Sequence, residues 1–236
     1  MKKNILKFML AALAVLPMAS CDKSSEGVTK VTYYATLEMN GEDLVVVPKG
    51  GSYNDAGCKA TLKGEDVSDQ IQTENPVNLQ QSGVYTVNYK VVNEDGFAAT
   101  ASRTVVVYDA SDPCDGLFSV TADSYRTYGK NVAFGSSFDV YVTKQADGTY
   151  AVSDFFGGWY SQRAGYGSKY NMAGRIAKNS DNTLSLVGTP LIQGWGDSVD
   201  SFTGTVDPAT NTLHWVVEYA GAMSFDITLN RVEAAN

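Results

Sequence analysis

From Val31 onward apolar and polar residues alternate with a period of two. In VTYYATLEMNG, Val31, Tyr33, Ala35, Leu37 and Met39 fall on one side and Thr32, Tyr34, Thr36 and Glu38 on the other, the pattern of a half-buried strand. Asn40-Gly41 has the composition of a tight hairpin turn and leads into the apolar run LVVV. Farther on, Tyr85, Val87, Tyr89 and Val91 share a face, Glu94-Asp95-Gly96 turns the chain, and a last strand runs through Arg103 to Val107. No helical periodicity of any length interrupts this stretch. Short strands at regular spacing predict a β-sandwich over residues 31–108.

DASDPCDG, residues 109–116, breaks the pattern with Pro113, Gly116 and the acids Asp109, Asp112 and Asp115. It reads as a domain boundary and a solvated linker; oxygen ligands suit calcium, but the segment lacks a complete ligand loop, so no metal is expected. Residues 117–236 return to strands and turns. SSFDVYVTK and GTYAVSDFF flank Gln145-Ala146-Asp147-Gly148, and SFTGTVD and TLHWVVEYA flank Pro208-Ala209-Thr210-Asn211, each pair reading as a hairpin. With LFSVTADSY, YNMAGRIAK, NTLSLVG and MSFDITLNRV this gives about eight strands. The fold class is all-β, and this half forms an antiparallel barrel, similar to the lipocalin kind, or a sandwich.

At the amino terminus, Lys2 and Lys3 precede a short apolar core and Met18-Ala19-Ser20 stands before Cys21. This resembles the bacterial lipoprotein signal, which implies that residues 1–20 are removed and that Cys21 is acylated. The other reading is an ordinary secretory signal with Cys21 incidental. Acyl chains contribute about 0.8 kcal/mol per buried methylene, so a multiply acylated Cys21 holds a protein to a membrane without a spanning helix. Residues 21–30 read as a polar tether. Its Asp22 and Glu26 are similar to the acids that follow the cysteine in surface lipoproteins of Bacteroidetes, and the implied location is the outer membrane or cell surface. Loss of Lys2, Lys3 and Lys7 from the 18 basic residues leaves 15 against 26 acids, a formal charge of −11. Such a surface excludes nucleic acid as a partner.

Gly51, Tyr53, Asp55, Gly57 and Ala60, then Gly83, Tyr85, Val87 and Tyr89, then Arg103, Val105 and Val107 form the three elements Y-x-D-x-G-x-x-A, G-x-Y-x-V-x-Y and R-x-V-x-V. They resemble the bacterial surface immunoglobulin-like domain over residues 31–108. The resemblance implies a spacer or presentation module without catalytic residues. Asp55 reads as an acceptor for backbone N–H groups in a turn. GYGSKYNMAGRI, GWGDS and DPATNTLHW make the whole chain similar to two-domain lipoproteins of gut Bacteroidetes encoded beside starch-utilisation-type nutrient systems. Cys58 and Cys114 do not form a CxxC motif; an oxidising compartment leaves open a disulfide between them or two free thiols.

The candidate chemistry is concentrated in FFGGWYSQRAGYGSKY, residues 155–170, where six aromatic residues and four glycines leave only Arg163 and Lys169 charged. Aromatic faces suit sugar rings, and neighbouring polar groups suit their hydroxyls. Trp159, Tyr160, Arg163, Tyr166, Tyr170, Trp195 and Asp197 are therefore the candidate ligand-binding residues. The alternative is that these rings are barrel core. Gly165, Gly167, Gly194 and Gly196 favour loop positions for Tyr166 and Trp195. No catalytic role is expected: His214 is the one histidine, on the face of its strand opposite Leu213, Trp215 and Val217, and the chain carries neither a G-x-S-x-G motif nor a Cys/His arrangement. Glu218, Asp226, Asp197 and Asp200 are the acids from which a glycosidase pair would have to come. No cofactor is called for. The reading is a non-catalytic surface lipoprotein that binds glycan for nutrient acquisition; the alternative is a structural or adhesion lipoprotein contacting an outer-membrane transporter or another surface protein.

Overall fold

The computed structural model describes residues 31–234; the signal segment, Cys21 and the tether lie outside the described residues. The first half contains β1 (Thr36–Met39), β2 (Leu44–Pro48), β3 (Cys58–Leu62), β4 (Glu65–Asp66), β5 (Gln72–Glu74), β6 (Gly83–Val92) and β7 (Ala98–Tyr108). They form two sheets, β1-β3-β4 and β2-β7-β6-β5. β6 and β7 make the hairpin that their alternation predicts, with Asn93 Oδ1 accepting from the N–H groups of Asp95 and Phe97 in the turn. Asn40-Gly41, by contrast, does not close a hairpin. β1 pairs antiparallel with β3 and β2 pairs parallel with β7, so the turn carries the chain from one sheet to the other. Leu37 and Met39 and, from the facing sheet, Val45 and Val47 then meet on the core of Val87, Tyr89, Val105 and Val107. Burial on both sheets outweighs local pairing.

A buried ion pair ties this sandwich together. Arg103, 1% exposed, pairs with Asp55, and its Nε donates to the carbonyl of Glu42 at 2.8 Å. Asp55 also accepts from the hydroxyls of Tyr53 at 2.8 Å and Tyr89 at 2.6 Å. The Y-x-D motif, the second tyrosine of β6 and the arginine of β7 thus converge on one carboxylate. Asp55 is an anchor for side chains rather than the turn acceptor that the motif suggests. Burial pushes its carboxyl up, but Tyr89, Tyr53 and Arg103 outweigh that and hold it below the usual range.

Residues 109–116 are not a solvated linker. Asp112 and Asp115 are buried, 8% and 0% exposed. Asp112 accepts from Tyr150 Oη at 2.9 Å and pairs with Lys144 Nζ at 2.6 Å, while Asp115 accepts the N–H groups of Asp109 and Lys144. Asp109 pairs with Lys49 at 2.7 Å, and Tyr108 donates to Glu233 at 2.8 Å. Each acid finds a donor, which is the condition for burying it. Cys114 is enclosed in the same segment, and both it and Cys58 are free thiols.

The second half contains β8 (Gly116–Val120), β9 (Tyr125–Tyr128), β10 (Lys130–Ala133), β11 (Phe138–Lys144), β12 (Tyr150–Val152), β13 (Met172–Lys178), β14 (Thr183–Leu186), β15 (Leu191–Ile192), β16 (Ser201–Asp207), β17 (Thr212–Tyr219) and β18 (Met223–Arg231). The order β8-β11-β12-β13-β14-β16-β17-β18 closes on itself because β18 pairs back onto β8, Leu229 opposite Val120. The result is an eight-stranded antiparallel barrel. Its inward positions are the apolar half of each alternation: Val140 and Val142, Met172 and Ile176, Leu213, Trp215 and Val217, Phe225, Ile227 and Leu229. The β9–β10 hairpin lies outside the ring and pairs with β18, and β15 pairs with β13. His214 points outward, its Nε2 2.9 Å from Asp226.

Candidate functional site

β12 ends at Val152, and the GTYAVSDFF alternation does not continue as a strand. Asp154 turns the chain instead. Its carboxylate, 1% exposed, accepts from the N–H groups of Phe156, Gly158 and Met172, each at 3.0 Å, and from Ser161 Oγ at 3.1 Å. Burial pushes this carboxyl up against the pull of those bonds. The turn drives Phe155, Phe156 and Trp159 into the mouth of the barrel, where they are 0%, 0% and 4% exposed. Trp215 donates its indole N–H to the Phe155 carbonyl at 3.0 Å, and Phe156 packs 4.5 Å from Phe225. Gly158 is required at the bend: its φ is +83°, and a Cβ there would stand 2.8 Å from that of Phe138. A single wide turn over Trp159–Arg163 follows and brings the chain back to the surface.

This geometry divides the candidate residues. Trp159 is core, its ring held between the guanidinium groups of Arg126 at 4.8 Å and Arg163 at 4.2 Å. It does not reach a surface ligand. Arg163 is likewise committed, stacking on Trp159 and donating from Nε to the Phe134 carbonyl at 3.0 Å. Tyr160, Tyr166, Tyr170 and Trp195, however, come together at the surface. Trp195 lies 4.8 Å from Tyr160 and 5.0 Å from Tyr170, and Tyr166 lies 5.5 Å from Tyr170. Tyr160 is the base of this cluster, packed between Phe156 and Trp195, with its hydroxyl reaching Met223.

Tyr166 and Trp195 are the exposed members, at 54% and 44%. With Tyr170 and Lys169 they line an open cleft of 330 Å³. Lys169 was not singled out from the sequence; its position beside Tyr170 in a glycine-flanked turn is the one signal for it. Gly194 allows the close fit of the two segments, since a Cβ there would meet the Tyr170 ring at 2.5 Å. Asp197 flanks the cluster but accepts from Tyr219 Oη at 2.8 Å, so part of its acceptor capacity is spent on the fold. Asp226 is engaged by His214 and Tyr125, and Asp200 accepts from the N–H of Gly221. The acids considered as a glycosidase pair each hold such a structural contact, Glu218 excepted.

The cluster sits at one end of the barrel. Met223, at its base, begins β18, whereas Arg231 ends that strand beside the immunoglobulin-like half, donating to the Asp112 carbonyl at 2.8 Å. Eight residue steps of about 3.3 Å separate them, roughly 26 Å. Tyr166 and Trp195 therefore stand at the end remote from the first sheets.

The two halves define the class of molecule: a surface immunoglobulin-like sandwich joined to a closed barrel. Residues 37–107 match the family model of the bacterial surface protein immunoglobulin-like domain, and residues 107–231 match a family model for a C-terminal domain. The crystal structure of the lipoprotein BT2262 from Bacteroides thetaiotaomicron is 41% identical in sequence and superposes with a TM-score of 0.74, over 84% of this chain and 100% of that one. The chain belongs to this lipoprotein's family. Two structures of Clostridium perfringens ZmpB, one of the M60 catalytic domain with CBM51-1 and CBM51-2 and one of CBM51-2 with GlcNAc and INT domains, reach only 15% and 12% identity. Their TM-scores are 0.28 and 0.27, over 80% and 86% of this chain and 14% and 45% of theirs, and no shared fold follows from such values. No curated protein matches the chain.

Proposed function

We propose that the protein is a lipid-anchored, non-catalytic surface lipoprotein that binds glycan through the cleft of Tyr166, Lys169, Tyr170 and Trp195. The observation that carries this reading is the exposure of Trp195 and Tyr166 in a cluster whose other rings are fixed from below. Solvent-facing rings held rigid by their neighbours offer contact area at small entropic cost, as stacking on a sugar requires. Kinship with a bacterial lipoprotein supports a surface location, and anchoring through Cys21 leaves the cleft at the far end of the barrel from the immunoglobulin-like half. Trp195 is the exposed indole, while Trp159 and Trp215 are buried, so quenching by acrylamide reports mainly on it. A bound polysaccharide shields Trp195 and lowers the quenching constant; unchanged quenching at saturating polysaccharide contradicts the assignment of this cleft.

A further inference from the structure

The loop that carries the aromatic cleft has a second face. Where β12 has ended, the Gln162 side chain takes the place of a strand partner for β11: its Oε1 accepts from the N–H of Asp139 at 3.1 Å and its Nε2 donates to the Asp139 carbonyl at 2.7 Å. This brings the loop over the outward side of β11 and forms a cleft of 250 Å³ lined by Asp139, Tyr141, Ser161, Gln162, Ser168 and Asn171. Ser161 and Gln162 are engaged, the one donating to Asp154 and the other bonded to the Asp139 backbone, but the Asp139 carboxylate is unspent. None of the described residues donates to the Asp139 carboxylate, and burial alone pushes its pKa up. Tyr141, two residues along the same face, is raised by burial and by the Asp139 charge. Asn171 Oδ1 is buried without a hydrogen-bond partner. The half-buried Asp139 carboxylate, left without a donor, is costly to the fold, and that cost is recovered when a ligand supplies one.

The chemistry of the set narrows that ligand. A carboxylate, an amide and hydroxyls accept from and donate to vicinal hydroxyl groups. One carboxylate among neutral groups falls short of the several that a calcium ion draws together, and it repels an anion. The two clefts are also adjacent: Ser168 and Asn171 line the polar one, Lys169 and Tyr170 the aromatic one. We propose that the polar cleft is a second subsite, taking one neutral sugar ring through its hydroxyls while the next ring of the same glycan stacks on Tyr166, Tyr170 and Trp195. This rests on the reading of the aromatic cleft as a glycan site.

The test is native electrophoresis in gels containing starch, xylan, galactomannan or, as the anionic comparison, polygalacturonate, with wild type, Trp195→Ala, Asp139→Asn and Asn171→Ala run side by side. The expected result is retardation of wild type by a neutral polymer, with at least tenfold weaker affinity in both Asp139→Asn and Asn171→Ala. The melting temperature of Asp139→Asn is expected to equal or exceed that of wild type, because its carboxylate has no partner to lose. If Trp195→Ala abolishes retardation while Asp139→Asn and Asn171→Ala bind as wild type does, the second subsite is refuted and the aromatic site stands. Retardation by polygalacturonate alone refutes the neutral specificity and the subsite with it. If no polymer retards wild type, both the reading and the subsite fail.

Discussion

Trp215 donates its indole N–H to the backbone carbonyl of Phe155 at 3.0 Å, across 60 residues of chain. That bond fixes the inserted segment 155–159 to β17 and makes it a plug, while the residues immediately after it are returned to solvent. Buried rings below hold exposed rings above, and the two groups should respond to mutation in opposite ways.

Trp159→Ala empties a site that is 4% exposed and removes the ring between Arg126 and Arg163. It should cost about 3–5 kcal/mol, as large-to-small core changes do. Trp195→Ala removes a ring 44% exposed and should lie within about 1 kcal/mol of wild type. Urea unfolding of the two variants checks this, and equal losses would place Trp195 in the core.

Asp154 holds three backbone N–H groups and a hydroxyl, and Asp154→Ala leaves them buried without an acceptor. The expected loss is about 3 kcal/mol or more. Tryptophan emission should also shift to the red as the plug loosens.

The carboxyls predict a pH dependence of mixed sign. Asp55 is held below its usual range, and Asp147 is lowered to about 2, chiefly by Thr149 and then by Arg175. Such groups bind fewer protons folded than unfolded, so their stabilisation is complete above the unfolded value of about 3.9 and is lost as pH falls through the folded one. Asp154 is raised by burial, so the folded state keeps its proton longer and stability falls as pH rises from about 3.9 through the raised value. Denaturant titrations from pH 3 to pH 7 should show the difference between wild type and Asp154→Asn narrowing as pH rises. A difference that widens would reverse the sign assigned to Asp154.

Both thiols are free, and Cys114, 0% exposed, has its thiol pushed up to about 12 by burial. It should resist iodoacetamide in the native protein at pH 8 and react once the chain is unfolded, with Cys58, half-buried, reacting first. Mass spectrometry of the alkylated protein reads the order; early modification of Cys114 would contradict its enclosure.

Much of the fold was legible because period-two alternation maps directly onto strands with one buried face. β6 and β17 follow it residue by residue, whereas β7 ends in the fully buried run 105–108, and the turns at 94–96, 145–148 and 208–211 sit where their composition places them. The misread positions depend on partners distant in sequence. Asn40-Gly41 looks the same whether the next strand pairs back or crosses to the other sheet; the pairing of β1 with β3 and of β2 with β7 decides it. The acids of 109–116 look solvated until Lys144 and Tyr150 are known to meet Asp112. Trp159 and Trp195 both stand among glycines, and no local feature tells them apart. What separates them is Asp154, which gathers the N–H groups of Phe156, Gly158 and Met172 and sends Trp159 inward. Asp-Phe-Phe-Gly-Gly carried a trace of this, a short acidic side chain placed to accept from N–H groups two and four residues on.

The most direct test of the account is retardation of wild type and Trp195→Ala in native gels across a panel of polysaccharides, with melting temperatures measured in parallel. The account predicts that at least one polysaccharide retards wild type and that Trp195→Ala migrates freely in it at an unchanged melting temperature. Equal retardation of the two proteins, or free migration of wild type in every gel, would contradict the assignment of the Tyr166, Tyr170 and Trp195 cleft as a glycan site.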